Sequence, residues 1–145
     1  MEEFVTGELK VDPEMVRERS RRLLQELSGA ISTDLDVKEL VETALRTWSL
    51  PELVEHRAAL VAEVPVYGRL VAQGERLVAG RADAICYRAG RPHIGFDRKS
   101  DVAPDVAARE TDVNQLGQYV DVLGADRGAV IYMTSAQVQW IQPSG

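Results

Sequence analysis

Apolar residues recur at helical spacing through the first third of the chain. Residues 13–28, PEMVRERSRRLLQELS, follow Asp12 as a candidate N-cap with Pro13 at the first helical position, and Met15, Val16, Leu23, Leu24 and Leu27 form an interrupted apolar stripe. A second helix is predicted from about Asp36 to Thr47, where Val37, Leu40, Val41, Ala44 and Leu45 keep helical spacing. Ser49 and Glu52 have the form of a capping box, so SLPELVEHRAAL predicts a fresh helical start.

The period changes near residue 60. LVAEVPVY, residues 60–67, is β-branched and alternating, with Pro65 marking an edge strand or a strand end. Gly74 punctuates a turn, after which RLVAGRADAICYR (76–88) reads as a long strand and PHIGFDRKS (92–100) as its partner across RAGR. Residues 109–123 return to helical spacing through Val113, Leu116, Val120 and Leu123, with Gly124 as terminator, and GAVIYMT and AQVQWI are strand-like. This order predicts an α/β fold with a mixed, mainly antiparallel sheet flanked by helices, a single domain over residues 1–145 with a mainly helical part (1–58) and a core (59–142).

Composition narrows the function classes. With 145 residues, 45% of them hydrophobic and 28% charged, the chain can bury a real core. The start MEEFVTGELK lacks the basic residues and apolar run of a secretory signal, and no segment approaches bilayer length, so a cytoplasmic protein without a membrane partner is expected. One cysteine, Cys86, excludes an internal disulfide and a cysteine-ligated cluster. A net charge of −6 argues against a protein that coats nucleic acid. Between Tyr67 and Lys99, however, Arg69, Arg76, Arg81, Arg88, Arg91, Arg98 and Lys99 outnumber Glu75, Asp83 and Asp97, which leaves room for a local basic face.

The chemistry lies in the hairpin. A turn at Ala89–Gly90 sets Asp83 opposite Phe96 or Asp97, so the two aspartates become neighbours roughly 5 Å apart, where like charges repel. Lys99 shares the face of Asp97 and is the plain counter-ion. The sharper reading is a hard divalent ion, Mg²⁺ or Mn²⁺, which takes one or two carboxylates with waters and phosphate oxygens. Glu63 on the preceding strand is a candidate further ligand. Such a cluster suits metal-assisted attack on a phosphodiester, with the lysine steadying the reacting oxygen. A D-x-K triplet alone is usually a solvated strand face; an Asp on one strand, D-x-K on the next and a polar helix after it is more selective. Of the other chemistry-bearing residues, His56 is expected on a helix surface, His93 and Cys86 in structural roles, and Trp48 and Trp140 in the core or facing a partner.

Four stretches, AEVPV (62–66), GRADAI (80–85), GFDRKSD (95–101) and NQLGQY (114–119), stand in an order and spacing that resembles the RecB-type nuclease domains of the PD-(D/E)xK superfamily, which are fused to or associated with DNA helicases. The resemblance spans roughly residues 45–134. It implies a restriction-endonuclease-like core in which Asp83, Asp97 and the Arg98 backbone carbonyl bind the metal, Lys99 positions or stabilises the nucleophile, and Gln115 and Tyr119 belong to the site. Glu63 matches the family's acidic residue before the first Asp. Gln115 and Tyr119, at i and i+4, share one helical face, expected to be distinct from the apolar stripe. Relatives commonly carry a metal-reaching histidine in an early helix, yet RERSRRLLQEL has none. The implied activity is a Mg²⁺-dependent deoxyribonuclease, exonuclease-like, serving DNA repair or recombination and leaving a 5′-phosphate and a 3′-hydroxyl. Its implied partners are DNA and a helicase or other repair protein. Arg81, Arg88, Arg91 and Arg98 are candidates for steering the DNA backbone. The alternative is a nuclease-like module without catalysis, acting in DNA binding or protein docking; a third reading is a plain interaction domain with surface ion pairs.

Overall fold

The computed structural model describes Asp12, residues 14–15, 17–18 and 22, and then residues 37–71, 74–100 and 103–145. The helix expected over residues 13–28 therefore lies mostly outside the described residues; those of its span that are described are helical. The elements are α1 (Val37–Trp48), the single turn α2 (Pro51–Val54), a 3₁₀ turn (Arg57–Ala59), β1 (Leu60–Leu70), β2 (Arg76–Arg88), β3 (Arg91–Lys99), α3 (Val106–Leu123), β4 (Arg127–Tyr132) and β5 (Gln137–Ile141). The strands form one five-stranded sheet in sequence order, with β3–β4 parallel and the other pairs antiparallel. Parallel neighbours need a crossover, and α3 supplies it. The fold is α/β, with a mixed and mainly antiparallel sheet between helices.

Each face of the sheet buries its own apolar cluster. On one, Val41, Ala44 and Trp48 of α1 and Leu53 of α2 pack with Leu60, Ala84, Cys86, Ile94, Phe96, Ala129 and Ile131. On the other, Leu116, Tyr119 and Val120 of α3 pack with Val66, Val78, Ala82, Ile85, Val130 and Tyr132. Alternating residues of β4 feed both layers, Ala129 and Ile131 the first and Val130 and Tyr132 the second, whereas β3 gives Ile94 and Phe96 to the first.

Local chemistry sets the helix ends. At the start of α3, Asp105 Oδ1 accepts the Ala108 N–H at 2.8 Å, and this cap begins the helix three residues ahead of the predicted 109. Gly124 ends it at φ 64°, in the left-handed conformation that glycine adopts without steric cost. The capping box at Ser49 does not form. Because α1 runs on to Trp48, the Ser49 hydroxyl is engaged by the Leu45 carbonyl at 2.8 Å, and Leu50 becomes an N-cap without a side-chain bond. The continuous helix expected from SLPELVEHRAAL is instead one turn and a 3₁₀ turn, tied back to α1 by Arg57, whose guanidinium stacks 3.9 Å from the Trp48 ring.

The β1–β2 hairpin carries a feature that places the site. Its register is regular, with Ala62 opposite Ala84 and Val64 opposite Ala82. Yet Ala62 and Ala84 pack on the α1 side, whereas Val64 and Ala82 pack on the α3 side. Both strands exchange faces at Glu63 and Asp83. Glu63 has φ 55°, a conformation uncommon for a residue with a side chain and absent from ordinary strands. The distal half of the hairpin thereby turns its even-numbered residues under α3.

A candidate carboxylate and lysine site where two strands part

β2 and β3 pair as a hairpin turning at Ala89 and Gly90, both with positive φ. A register shift between Cys86 and Tyr87 makes both expected alignments real, one on each side of it. The last paired residues at the open end are Ala84 and Phe96. One step further the strands separate at Asp83 and Asp97, close enough for the charge of Asp83 to act on Asp97. Asp83 Oδ2 accepts the Arg98 backbone N–H at 2.7 Å, so its carboxylate takes up a donor that the departing strand leaves unpaired.

Asp97 and Lys99 both project toward α3. The Lys99 ammonium lies 3.0 Å from Asp97 Oδ2 and 3.3 Å from Oδ1 of Asp112, a helix residue absent from the expected set. The three side chains are only 16%, 22% and 13% exposed, so their charges interact in a partly desolvated setting. Burial raises the Asp97 carboxyl above its ordinary range; Lys99 pulls it back, and the charges of Asp83 and Asp112 push it up again, leaving a net rise. Burial acts to lower the Lys99 ammonium, but the carboxylates of Asp97 and Asp112 together outweigh it and its value rises. Two carboxylate oxygens, Asp97 Oδ2 and Asp112 Oδ2, are buried without a hydrogen bond among the described residues; the first has only its charge contact with Lys99. Below them the Tyr132 hydroxyl, in a residue 1% exposed and level with Lys99 in the β3–β4 ladder, is also without a hydrogen-bond partner among the described residues.

The other expected residues divide by position. Glu63 is drawn to Arg81, whose Nε lies 2.6 Å from its Oε2, so it enters the neighbourhood as an ion-paired carboxylate. Arg98 does not present a free cation to solvent. Its side chain is 13% exposed, with Nε 3.6 Å from Asp83 Oδ2, because alternation directs it away from the Lys99 side and under the sheet. Arg88 and Arg91 flank the hairpin turn; six strand steps of about 3.3 Å separate Arg91 from Asp97 by roughly 20 Å. They are not brought to the site. They lie instead near His93, whose Nδ1 is 2.6 Å from Asp126 Oδ2, and His56, whose ring centre is 6.0 Å from that of His93. His56 is buried at 8% exposed, which corrects the helix-surface expectation: the chain folds back after α2 and lays this ring against the start of β3.

Gln115 and Tyr119 do share a face, and the Gln115 amide donates to the Tyr119 hydroxyl at 3.3 Å. That face is not separate from the apolar stripe. Tyr119 is 8% exposed and packs with Leu116 and Val120 over β2, where Gly80 leaves space for it; a Cβ at residue 80 would overlap the Tyr119 hydroxyl. Asp112 was legible in principle, since it precedes Gln115 by three residues and Tyr119 by seven and so falls on their helical face.

No protein-family model matches the chain, and no curated protein matches it. Among solved structures, the crystal structure of SSO0001 aligns over 94% of this chain and 71% of its own, at 16% identity and a TM-score of 0.47. No helix among the described residues is long and apolar enough to cross a membrane.

Around Lys99 stand Asp97 and Asp112, with the charge of Asp83 felt at Asp97 and Arg98 beside Asp83, while Glu63 and Arg81 form their own ion pair. No group of three or more His, Cys, Asp or Glu side chains among the described residues is arranged to hold a metal ion. The oxygen donors are nevertheless of the hard type that Mg²⁺ and Mn²⁺ prefer, an octahedral ion of this kind asks for only one or two carboxylates, and a buried Asp97 oxygen lacks a hydrogen bond. The residues fit such an ion.

Proposed function

We propose that the chain is a divalent-metal-dependent deoxyribonuclease built on a restriction-endonuclease-like core. The observation that carries this reading is the crowding of Asp97 against Asp83 and Asp112 at the point where β2 and β3 separate, with one lysine between Asp97 and Asp112. Perturbed carboxylates gather at functional sites, and this is the support for the reading. Asp83, Asp97 and the Arg98 backbone carbonyl would hold Mg²⁺ or Mn²⁺. When bound, the ion would supply a Lewis acid for the phosphodiester and a lowered pKa for coordinated water.

The chain's own groups do the remaining work. Lys99 places a positive charge on the reacting side of Asp97, suited to steadying an anionic oxygen. Arg98 N–H fixes the orientation of the Asp83 carboxylate. Gln115, exposed beside the buried Tyr119, offers an amide to the approaching strand. Arg81 is the one arginine of the expected four that is both exposed and close to Asp83 in sequence and space, and it is the residue proposed to steer the DNA backbone, with a contribution that weakens as salt rises. DNA, and a helicase or other repair protein, are the proposed partners; exonuclease-like action in repair or recombination within the cytoplasm is the proposed setting.

Labelled linear and circular DNA, single- and double-stranded, incubated with and without Mg²⁺ or Mn²⁺ tests the reading. Metal-dependent cleavage that disappears in Asp97→Ala and in Lys99→Ala, both folded by circular dichroism, is the expected result. Cleavage undiminished in both variants would sink the assignment.

One observation favours the second reading, a nuclease-like module that binds DNA or a protein without cutting. Arg98 near Asp83 and Lys99 on Asp97 already give each of the two aspartates a cation. On that reading Mn²⁺ produces no saturable rise in melting temperature; a live site gains stability as it fills.

A further inference from the structure

We propose that Asp112 is a positioning residue for Lys99: it holds the ammonium beside the site when a divalent cation occupies Asp97. This rests on the metal-dependent reading above and adds to it a residue that the motif resemblance did not contain.

The geometry poses a conflict. Asp97 Oδ2 is the nearest anion to Lys99, at 3.0 Å, and it belongs to the same carboxylate that is proposed to bind the metal. A dication on that carboxylate repels the ammonium, and in this partly buried setting the repulsion is screened less than it would be in water. Without a second anion, Lys99 would either exclude the metal or swing away into solvent. Asp112 removes the dilemma. Its Oδ1 already lies 3.3 Å from Nζ, and its Oδ2 is buried with no hydrogen bond among the described residues, so capacity remains on this carboxylate after Lys99 leaves Asp97.

The mounting suits the role. Asp112 stands on α3, which is capped at Asp105 and pinned to the sheet through Leu116 and Val120, both at most 1% exposed. Asp97 comes from β3 and Asp112 from the helix covering it, so Lys99 bridges two elements rather than one flexible strand end. The Tyr132 hydroxyl and the Arg109 guanidinium, which stacks 4.7 Å from the Tyr132 ring, border the same space, and neither offers an anion to compete for Lys99.

Mn²⁺ binding, read as a concentration-dependent thermal shift, tests the proposal in five proteins: wild type, Asp112→Asn, Asp112→Glu, Lys99→Met and the Asp112→Asn/Lys99→Met double variant. If Asp112 acts through Lys99, Asp112→Asn weakens Mn²⁺ by about tenfold or more, because Lys99 then has only Asp97 to hold, and Asp112→Glu restores affinity to within about threefold. Lys99→Met binds Mn²⁺ more tightly than wild type, and adding Asp112→Asn to it costs about threefold or less, the remainder due to one lost negative charge. A tenfold loss from Asp112→Asn in the Lys99→Met background would overturn the proposal and make Asp112 a metal ligand itself. No loss in either background would overturn it outright. A wild type without any Mn²⁺ response removes the nuclease reading and this inference with it, whereas failure confined to the Asp112 variants leaves that reading standing.

Discussion

Asp97 is a carboxylate that the fold keeps charged at some expense. Its raised value means that folding favours the protonated form: the stability this contributes is present at pH below the ordinary carboxylate value and is lost as pH rises through the raised one. At neutral pH the ionised side chain therefore opposes folding. Asp97→Asn is expected to stabilise the protein by about 1 kcal/mol at pH 7 while abolishing metal-dependent cleavage, since the amide cannot replace an ionised ligand. Urea denaturation and the DNA assay on one preparation check both halves. Lys99 has the opposite sign of effect. It neutralises two partly buried carboxylates, so Lys99→Met should cost about 2 kcal/mol by denaturation at neutral pH, and less as acidification lets Asp97 take up its proton.

At the scale of elements, the face exchange in the β1–β2 hairpin decides what α3 can cover. Val66, Val78 and Ala82 enter the α3 layer only because the alternation inverts at Glu63 and Asp83. Gly80 lies in this stretch and gives Tyr119 its place. Gly80→Ala is expected to destabilise by about 2 kcal/mol through overpacking, and Tyr119→Phe in the same chain to recover part of that loss by removing the overlapping hydroxyl. Equilibrium urea melts of the single and double variants measure the coupling. At the other end of the contact, Asp105→Ala removes the cap of α3 and should cost about 1 kcal/mol. The strand spans and the α3 stripe were readable in the sequence because period and turn chemistry are local. The inversion was not, because residues 60–70 keep the same even-numbered apolar pattern whichever face they point to, and only the partners on each side reveal the change.

Across the whole molecule, titrating groups gather at both ends of β3. Asp97 and Lys99 occupy one; His93, Asp126 and His56 occupy the other. Burial lowers the His56 imidazole, opposed by Glu55 and assisted by His93, Arg127 and Arg88. The unfolded chain then binds a proton more readily than the folded one, so this contribution is complete above about pH 6.5 and declines as pH falls from there toward the lowered value. Asp126, held low by its contact with His93, adds a loss in the same direction only below the ordinary carboxylate range. Because Asp97 acts in the opposite sense, the check is the difference between two proteins: from pH 7 to pH 5 the melting temperature of the wild type is expected to change less favourably than that of His56→Gln. An equal change in both proteins would assign the pH dependence elsewhere.

Sequence alone determined what depends on neighbours in the chain: the order of helices and strands, the Ala89–Gly90 turn, the stop at Gly124, and through the hairpin register the placing of Asp83 near Asp97. These follow from residue spacing and backbone preference, which are read within a few positions. Tertiary structure decided the rest. It joined Asp112 to Lys99, drew Glu63 to Arg81, put Arg98 beneath Asp83, buried His56 against His93, and set Arg88 and Arg91 away from the aspartates. Each of these depends on which charged group lies across a packed interface, and a charge finds its partner through space once the layers have closed.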